Sequence, residues 1–220
     1  MIPAVSLDVD PSFPAGLAMG LPDKDEVIEE GYGCFRDVWT IGEVGHEEAI
    51  QMIEAERHLV RLVDQASRTD AEFEAMAKAV ETGELENLPD GYAEEHPQSE
   101  LVQFLDAVDE EHSPLDALDL GVAGLAYALS SVGCFTAASC RSHYSDQPWA
   151  DRPVIFFAAE RPTVHWLTPL VRDSGCGFAD GSDRADRLLI VQAPSITNFV
   201  DLAQRIVEQA ERQGPVSADV

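Results

Sequence analysis

The stretch that decides the fold is Gly133-Cys134-Phe135-Thr136-Ala137-Ala138-Ser139-Cys140-Arg141-Ser142-His143. An apolar helix pattern leads into it, and a second run, Pro153-Val154-Ile155-Phe156-Phe157-Ala158-Ala159, follows it. Cys134–Ala138 is short, uncharged and bounded by Gly133 and a polar turn, which predicts a strand. The run 153–159 carries no polar side chain, which predicts a buried central strand. The turn between them, passing through Pro148 to Arg152, is where sites usually sit on a packed scaffold.

Outward to the C-terminus, Val164, Trp166, Leu167, Leu170 and Val171 predict a helix that Gly175 ends. Pro169 inside it predicts a kink, or a restart with Thr168 as N-cap and Pro169 at the first helical position. Cys176–Ala179 and Leu188–Ala193 predict two further strands. A last helix starts at Pro194-Ser195 and buries Ile196, Phe199, Val200, Ala203, Ile206 and Val207. Before the deciding stretch, Leu115, Leu118, Val122, Leu125, Leu129 and Val132 recur at spacings of 3 and 4, predicting a helix from Pro114 to about Ser131. The order α-β-β-α-β-β-α predicts an α+β fold: a C-terminal, largely antiparallel sheet with helices on one face, preceded by an acidic α-helical region.

In that N-terminal region, a helix from His46 presents Ile50, Ile53, Val60 and Val63 on one face, with Glu47 and Glu48 suited to its N-terminus. Thr69 and Glu72 form a capping-box pattern ahead of Phe73, Met76, Ala77 and Val80, and Gly83 closes that helix. Residues 84–98 read as a loop and Ser99–Glu110 as a short helix. Pro22–Glu30 suggests one or two acidic helical turns, and Cys34–Ile41 is open between a short strand and a loop. The divisions are a flexible arm over 1–21, broken by Pro3, Pro11 and Pro14, the acidic helical region 22–111, the α+β domain 112–212 and a tail 213–220.

Apolar and charged fractions of 45% and 25% are ordinary for a globular chain. The sign balance is not, since 41 acidic residues face 14 basic ones for a net charge of -27. Residues 1–111 hold 28 acidic and 6 basic side chains, against 13 and 8 in residues 112–220. Direct binding to a nucleic-acid backbone is therefore disfavoured for the N-terminal half, because phosphates are repelled. Three readings of the acidity are open: adaptation to salt or solubility, docking on a basic partner protein, or imitation of nucleic acid by an inhibitor.

The 21 uncharged residues from Leu120 to Cys140 are long enough to span a bilayer. The amphipathic stripe starting at Leu115, the helix end at Ser130-Ser131-Gly133 and the switch to strand character argue for helix plus strand instead. Residues 1–20 lack a basic segment ahead of an apolar one, so no secretory signal is read and a cytoplasmic location is expected. Cys34, Cys134, Cys140 and Cys176 are then expected to be reduced thiols, and no C-x-x-C pair is present.

Four chemistries suit the Ser139–His143 turn. Cys140 beside Arg141 and three residues from His143 could be an activated nucleophile, since a neighbouring cation lowers a thiol pKa. Cys134, Thr136, Ala138 and Cys140 share one face if the strand is regular. Cys134, Cys140, His143 and Cys176, with His165 as an extra ligand, could close a tetrahedral zinc site. Ser139, Arg141, Ser142, Arg152 and Arg161, with Tyr144 and Trp149, could line a pocket for a phosphate or a planar ligand. The fourth use is structural, with Cys140 as a small buried core residue. Elsewhere, His46, Glu47, Glu54 and His58 lack the Glu-x-x-His spacing of a carboxylate metal site, and Asp180-Gly181-Ser182-Asp183 misses the EF-hand spacing, leaving a solvated face and a polar turn.

An uncharged strand followed by Thr, a small residue, Ser-Cys, two residues and a basic one resembles the wybutosine-synthesising methyltransferase family, which carries a Ser-Cys-Ser-Gly-Arg stretch. It is also similar to small bacterial and phage domains with a Ser-Cys-x-Gly-His pattern ahead of an apolar strand. Ser139 and Cys140 match both patterns, His143 matches the second, and Ser142 stands where each has glycine. The resemblance spans at most residues 114–210. It implies the α+β fold, a site at this turn and, for the methyltransferases, group transfer from S-adenosylmethionine to a modified tRNA base. The chain is thus expected to be a binding or regulatory protein with an acidic partner-binding half. The alternative is a small group-transfer enzyme using Cys140 and His143.

Overall fold

Val154–Ala158 is buried along its whole length, and its neighbours explain why. The computed structural model describes residues 1–23, 25–27, 31–33, 35–36, 44–108, 113–143 and 150–213. Its elements in chain order are β1 (Gly31–Tyr32), β2 (Phe35–Arg36), α1 (His46–Ala66), α2 (Asp70–Thr82), α3 (Tyr92–Glu95), α4 (Glu100–Ala107), α5 (Ala123–Ser131), β3 (Phe135–Cys140), β4 (Val154–Ala158), α6 (Arg161–Asp173), β5 (Gly177–Asp180), β6 (Leu189–Gln192) and α7 (Ile196–Gln213), with a 3-10 turn at Leu85–Asn87. The four longer strands form one antiparallel sheet in the order β3-β4-β6-β5, so β4 is interior. The chain is therefore α+β, with the C-terminal antiparallel sheet its pattern predicts.

The two faces of that sheet are covered differently. Ile155, Phe157, Leu189 and Val191 meet α5, α6, α7 and the start of α1. Phe157 and Phe199 are completely buried there, each worth about 2–3 kcal/mol relative to exposure. Val154, Phe156 and Ala158 face the other way, under the small β1–β2 hairpin. Tyr32 meets Phe135 edge-on at 5.4 Å between ring centroids, and Phe35 meets Phe156 at 4.9 Å. The rest of the segment expected at Cys34–Ile41, the end of the helix expected to reach Glu110 and the tail beyond Gln213 lie outside the described residues.

Several helices follow their signals closely. In α2 the Thr69 hydroxyl accepts from the Glu72 N–H at 3.2 Å, and Gly83 closes the helix at φ 74°. In α1 Glu48 reaches back to the Gly45 N–H at 3.3 Å. Pro169 neither restarts nor ends α6, which runs unbroken over Arg161–Asp173. It sits on the exposed side of that helix, so no core contact is lost, and Thr168 bonds back to the Val164 carbonyl at 2.8 Å instead of capping.

The helix expected from Pro114 is shorter. Only Ala123–Ser131 is helical, and residues 114–122 form turns with Asp116 and Ala117 at positive φ. Leu115, Leu120 and Val122 are all fully buried, so their spacing reports a folded turn enclosed by core, not a helix face. Gly121, at φ 90°, is pressed against α7: a Cβ there would lie 2.4 Å from Ile196 Cβ.

The arm expected to be loose lies along the fold. Asp10 accepts from the Phe178 N–H at 2.8 Å, which occupies a donor on edge strand β5. The Val5 N–H donates to the Pro194 carbonyl at 2.9 Å, and the Ser195 hydroxyl donates to the Pro3 carbonyl at 3.0 Å. The helical and sheet-bearing parts meet through α1, which packs on α5 and α7, with Met52 and Leu118 touching both cores. Among the described residues no helix is long and apolar enough to cross a membrane.

Candidate functional site

Strand β3 carries a bulge that decides which side chains meet. Thr136 pairs with Phe157 and Ala138 with Phe156, leaving Ala137 unpaired between them. One extra residue reverses the alternation. Thr136 thus shares the helix-covered side with Phe157 and approaches Ser130 at 3.5 Å, whereas Ala138 and Cys140 join the opposite face. The single face expected for Cys134, Thr136, Ala138 and Cys140 does not exist, because the strand is not regular. It also runs on to Cys140, two residues past its expected end.

Beyond Cys140 the chain meets α2. Glu74 and Glu81 stand seven residues, about two turns, apart on one side of that helix. Both grip the Arg141 guanidinium: Nη1 lies 2.5 Å from Glu74 Oε2, Nη2 3.1 Å from Glu74 Oε1, and Nε 2.6 Å from Glu81 Oε1. The Arg141 side chain is only 2% exposed, so it is a buried cation fully answered by carboxylates. Glu81 also accepts from the Leu120 N–H at 2.7 Å, and the Arg141 N–H donates to Asp119 Oδ2 at 3.1 Å. Ser142 takes φ 74°, which turns its N–H onto Cys140 Sγ at 3.4 Å. His143 then sits between two acids, Nδ1 3.1 Å from Glu74 Oε1 and Nε2 3.2 Å from Asp119 Oδ2.

The electrostatics follow from this packing. Hydrogen bonds to Asp119, Cys140 and Glu74 outweigh partial burial and push the His143 pKa up to about 12. Burial works to raise the Asp119 pKa, but the His143 hydrogen bond and charge, aided by Arg141, hold it below the usual carboxylate value. Burial dominates at Glu81, whose pKa is raised despite Arg141. His143 is therefore held as an imidazolium with both nitrogens facing carboxylates. Cys140 is completely buried. In this arrangement the imidazole holds the proton that a base would need to accept from the thiol.

The remaining expected residues scatter. Ser139 pairs with Ile155 and so shares the helix-covered side. Arg152 is on the same end of the sheet as Cys140, but its Nε donates to Gln192 at 2.7 Å and it pairs with Asp151. Arg161 opens α6 beyond the other end of β4, which is about 13 Å of strand away. Arg141, Arg152 and Arg161 thus do not converge on an anion. Cys134 and Cys176 lie in the core beneath the helices, across the sheet from Cys140, where burial raises both thiols, Cys176 to about 12. His165 is exposed on α6. The group of ligand-type side chains that does gather is Asp119, Cys140 and His143, with one ligand atom of each within 4.8 Å of the others. Tyr144, Trp149 and Cys34 lie outside the described residues.

A cavity of about 150 Å³ opens beside His143, between the N-terminal arm and the start of α2. Asp70, Glu74, Arg141, Ser142 and His143 supply its polar wall, and Pro3, Val5, Phe73 and Ile196 its apolar one. Two buried or half-buried acids here are not among the residues that the sequence singles out as a site. Asp119 lies in the turn whose spacing resembles a helix. Glu56 is completely buried on α1 and accepts from the N–H groups of Gly121 at 2.9 Å and Gly124 at 3.1 Å, answering the open N-terminus of α5. No family model, curated protein or solved structure matches the chain.

Proposed function

We propose that this chain is a binding protein that docks a basic segment of a partner protein on its acidic helical half. The observation that carries the reading is a run of exposed carboxylates with no cation among them. Glu84, Glu86, Asp90, Glu94, Glu95, Glu100 and Asp106 are all exposed, and none makes an ion pair with a described lysine or arginine. The sequence has no lysine or arginine between Lys78 and Arg141. Arg141 itself is engaged by Glu74 and Glu81. The cavity at the start of α2 is a separate feature of the same half: its apolar wall suits the stem of a lysine or arginine, and exposed Asp70 in its lining suits the charged head. Such a surface steers a basic partner in quickly and loses affinity as salt rises.

The test is fluorescence anisotropy with a labelled arginine-rich peptide at physiological ionic strength. Replacing Glu84, Glu86, Glu94 and Glu95 with Gln should weaken binding at least about tenfold. Replacing four acids of the C-terminal half, Asp151, Asp173, Asp183 and Asp186, with Asn changes the net charge equally and should have a much smaller effect. Equal losses in the two variants would sink the reading, because net charge alone would then explain binding.

A further inference from the structure

We propose that Asp119, Cys140 and His143 form a zinc-binding site, distinct from the four-ligand set that cysteine spacing alone suggests. The way the three ligand atoms are gathered and oriented supports this independently of the basic-partner reading. Their donors lie within 4.8 Å of one another, and His143 Nε2 is 3.2 Å from Asp119 Oδ2. A tetrahedral zinc with bonds of about 2.0–2.3 Å requires adjacent ligand atoms about 3.3–3.6 Å apart. The cluster therefore needs only small adjustments to enclose the ion. Thiolate, imidazole and carboxylate together suit a borderline cation such as Zn²⁺ and disfavour Mg²⁺ or Ca²⁺, which take oxygen ligands.

Each ligand is also held by something behind it. His143 keeps its Nδ1 on Glu74 at 3.1 Å, leaving Nε2 for the metal, and Glu74 is itself fixed by Arg141. This is the carboxylate–histidine support that metal-ligating imidazoles use. The Arg141 N–H orients Asp119 Oδ2, and the Ser142 N–H points at Cys140 Sγ, where it would stabilise thiolate charge. Cys134 and Cys176 take no part, because the sheet separates them from Cys140. Binding releases two protons, one from the Cys140 thiol and one from His143 Nε2, while Nδ1–H stays on Glu74. The ion takes the place of the imidazolium proton in holding Asp119 and His143 together.

The experiment uses the full chain, reduced, stripped with chelator and dialysed against Zn²⁺. One equivalent should remain bound, and Co²⁺ in its place should give a near-ultraviolet thiolate-to-cobalt charge-transfer band. That band should vanish in Cys140→Ala and persist in Cys134→Ala and Cys176→Ala. Glu74→Gln should weaken zinc about 10–100-fold through the second nitrogen of His143. Since Cys140 is buried and its variant can fail to fold, X-ray absorption of the zinc-loaded unmodified protein provides an independent readout. One sulfur with nitrogen and oxygen neighbours supports the site. A shell without sulfur, showing zinc spread over surface carboxylates, overturns it, as do two or more sulfurs, loss of the band in Cys134→Ala or Cys176→Ala, or no retained zinc.

Discussion

Two buried acidic clusters join the helical half to the sheet-bearing half, and they solve the same problem differently. At Arg141 the charges are answered by charges: a guanidinium enclosed by Glu74 and Glu81, with His143 and Asp119 beside it. At Glu56 a single carboxylate is answered by backbone N–H dipoles at the start of α5, with no cation in contact among the described residues. Both sets of hydrogen bonds are good. Dipoles alone do not offset the desolvation of a full charge, so burial lifts the Glu56 pKa to about 7. Opposite charges do better at Asp119, whose pKa stays low despite burial.

The largest expected effect breaks the first cluster. Arg141→Met leaves Glu81 buried without its counter-charge and Glu74 with His143 as its cation, and should cost about 3–5 kcal/mol in urea denaturation. That is a large share of the 5–15 kcal/mol that holds a typical domain together. Adding Glu81→Gln should restore part of the loss, because one uncompensated charge is then gone. If the double variant is no more stable than the single one, the penalty comes from lost packing of the arginine stem and not from charge.

The second cluster should show itself through pH. The folded pKa of Glu56, about 7, stands above its ordinary 4.5. Between those values the folded state holds a proton that the unfolded chain has released, so stability falls as pH rises through that window. The fall is about 3 kcal/mol in total. Glu81, also raised, adds a slope of the same sign. Comparing Glu56→Gln with the unmodified protein from pH 4.5 to 7 isolates the Glu56 part, and parallel stability curves would show that this carboxyl does not titrate there. His143 adds a slope of the same sign at higher pH: above 6.5 the unfolded chain has released a proton that the folded state keeps, so the stability this residue contributes falls progressively until pH nears 12.

A smaller change tests how closely α5 is seated on Glu56. A Cβ at Gly124 would lie 2.6 Å from Glu56 Oε2 and 3.2 Å from Ile53. Gly124→Ala gains about 1 kcal/mol of helix propensity, but the carboxylate is pinned by backbone donors and cannot withdraw. A net loss of about 1–2 kcal/mol is expected in thermal or urea unfolding. A stabilised variant would mean that α1 and α5 separate easily.

The same contrast explains what was legible in the sequence. Periodicity revealed α1, α2, β4, β6 and α7 because each buries one continuous stripe or run. The Glu56 site leaves a faint trace: Ile53 and Val60 belong to the buried stripe of α1, and Glu56 occupies the position between them. An acid inside an apolar stripe signals a buried partner. Asp119 leaves no such trace, since its turn mimics helical spacing and its partners lie 22 and 24 residues on. The bulge at Ala137 is equally silent, because its effect depends on pairing with β4 and not on any residue within β3. Glu74 and Glu81 have the spacing of an ordinary solvated helix face, and only the end of β3 laid against them makes them a buried site.

The smallest effect concerns Ser142, a non-glycine residue at positive φ. Its φ of 74° is a conformation that glycine enters freely and serine does not. Ser142→Gly relieves that strain but also frees the unfolded chain, so the two terms nearly offset. A net gain of about 0.5 kcal/mol is expected, with the Ser142 N–H still directed at Cys140 Sγ. Ser142→Ala keeps the strained φ without the hydroxyl and should leave stability within about 0.5 kcal/mol of the unmodified protein. Together they separate backbone from side chain. If glycine destabilises by more than alanine does, the turn is held by its packing beneath the arm, and serine's left-handed conformation is a consequence of the site rather than a strain upon it.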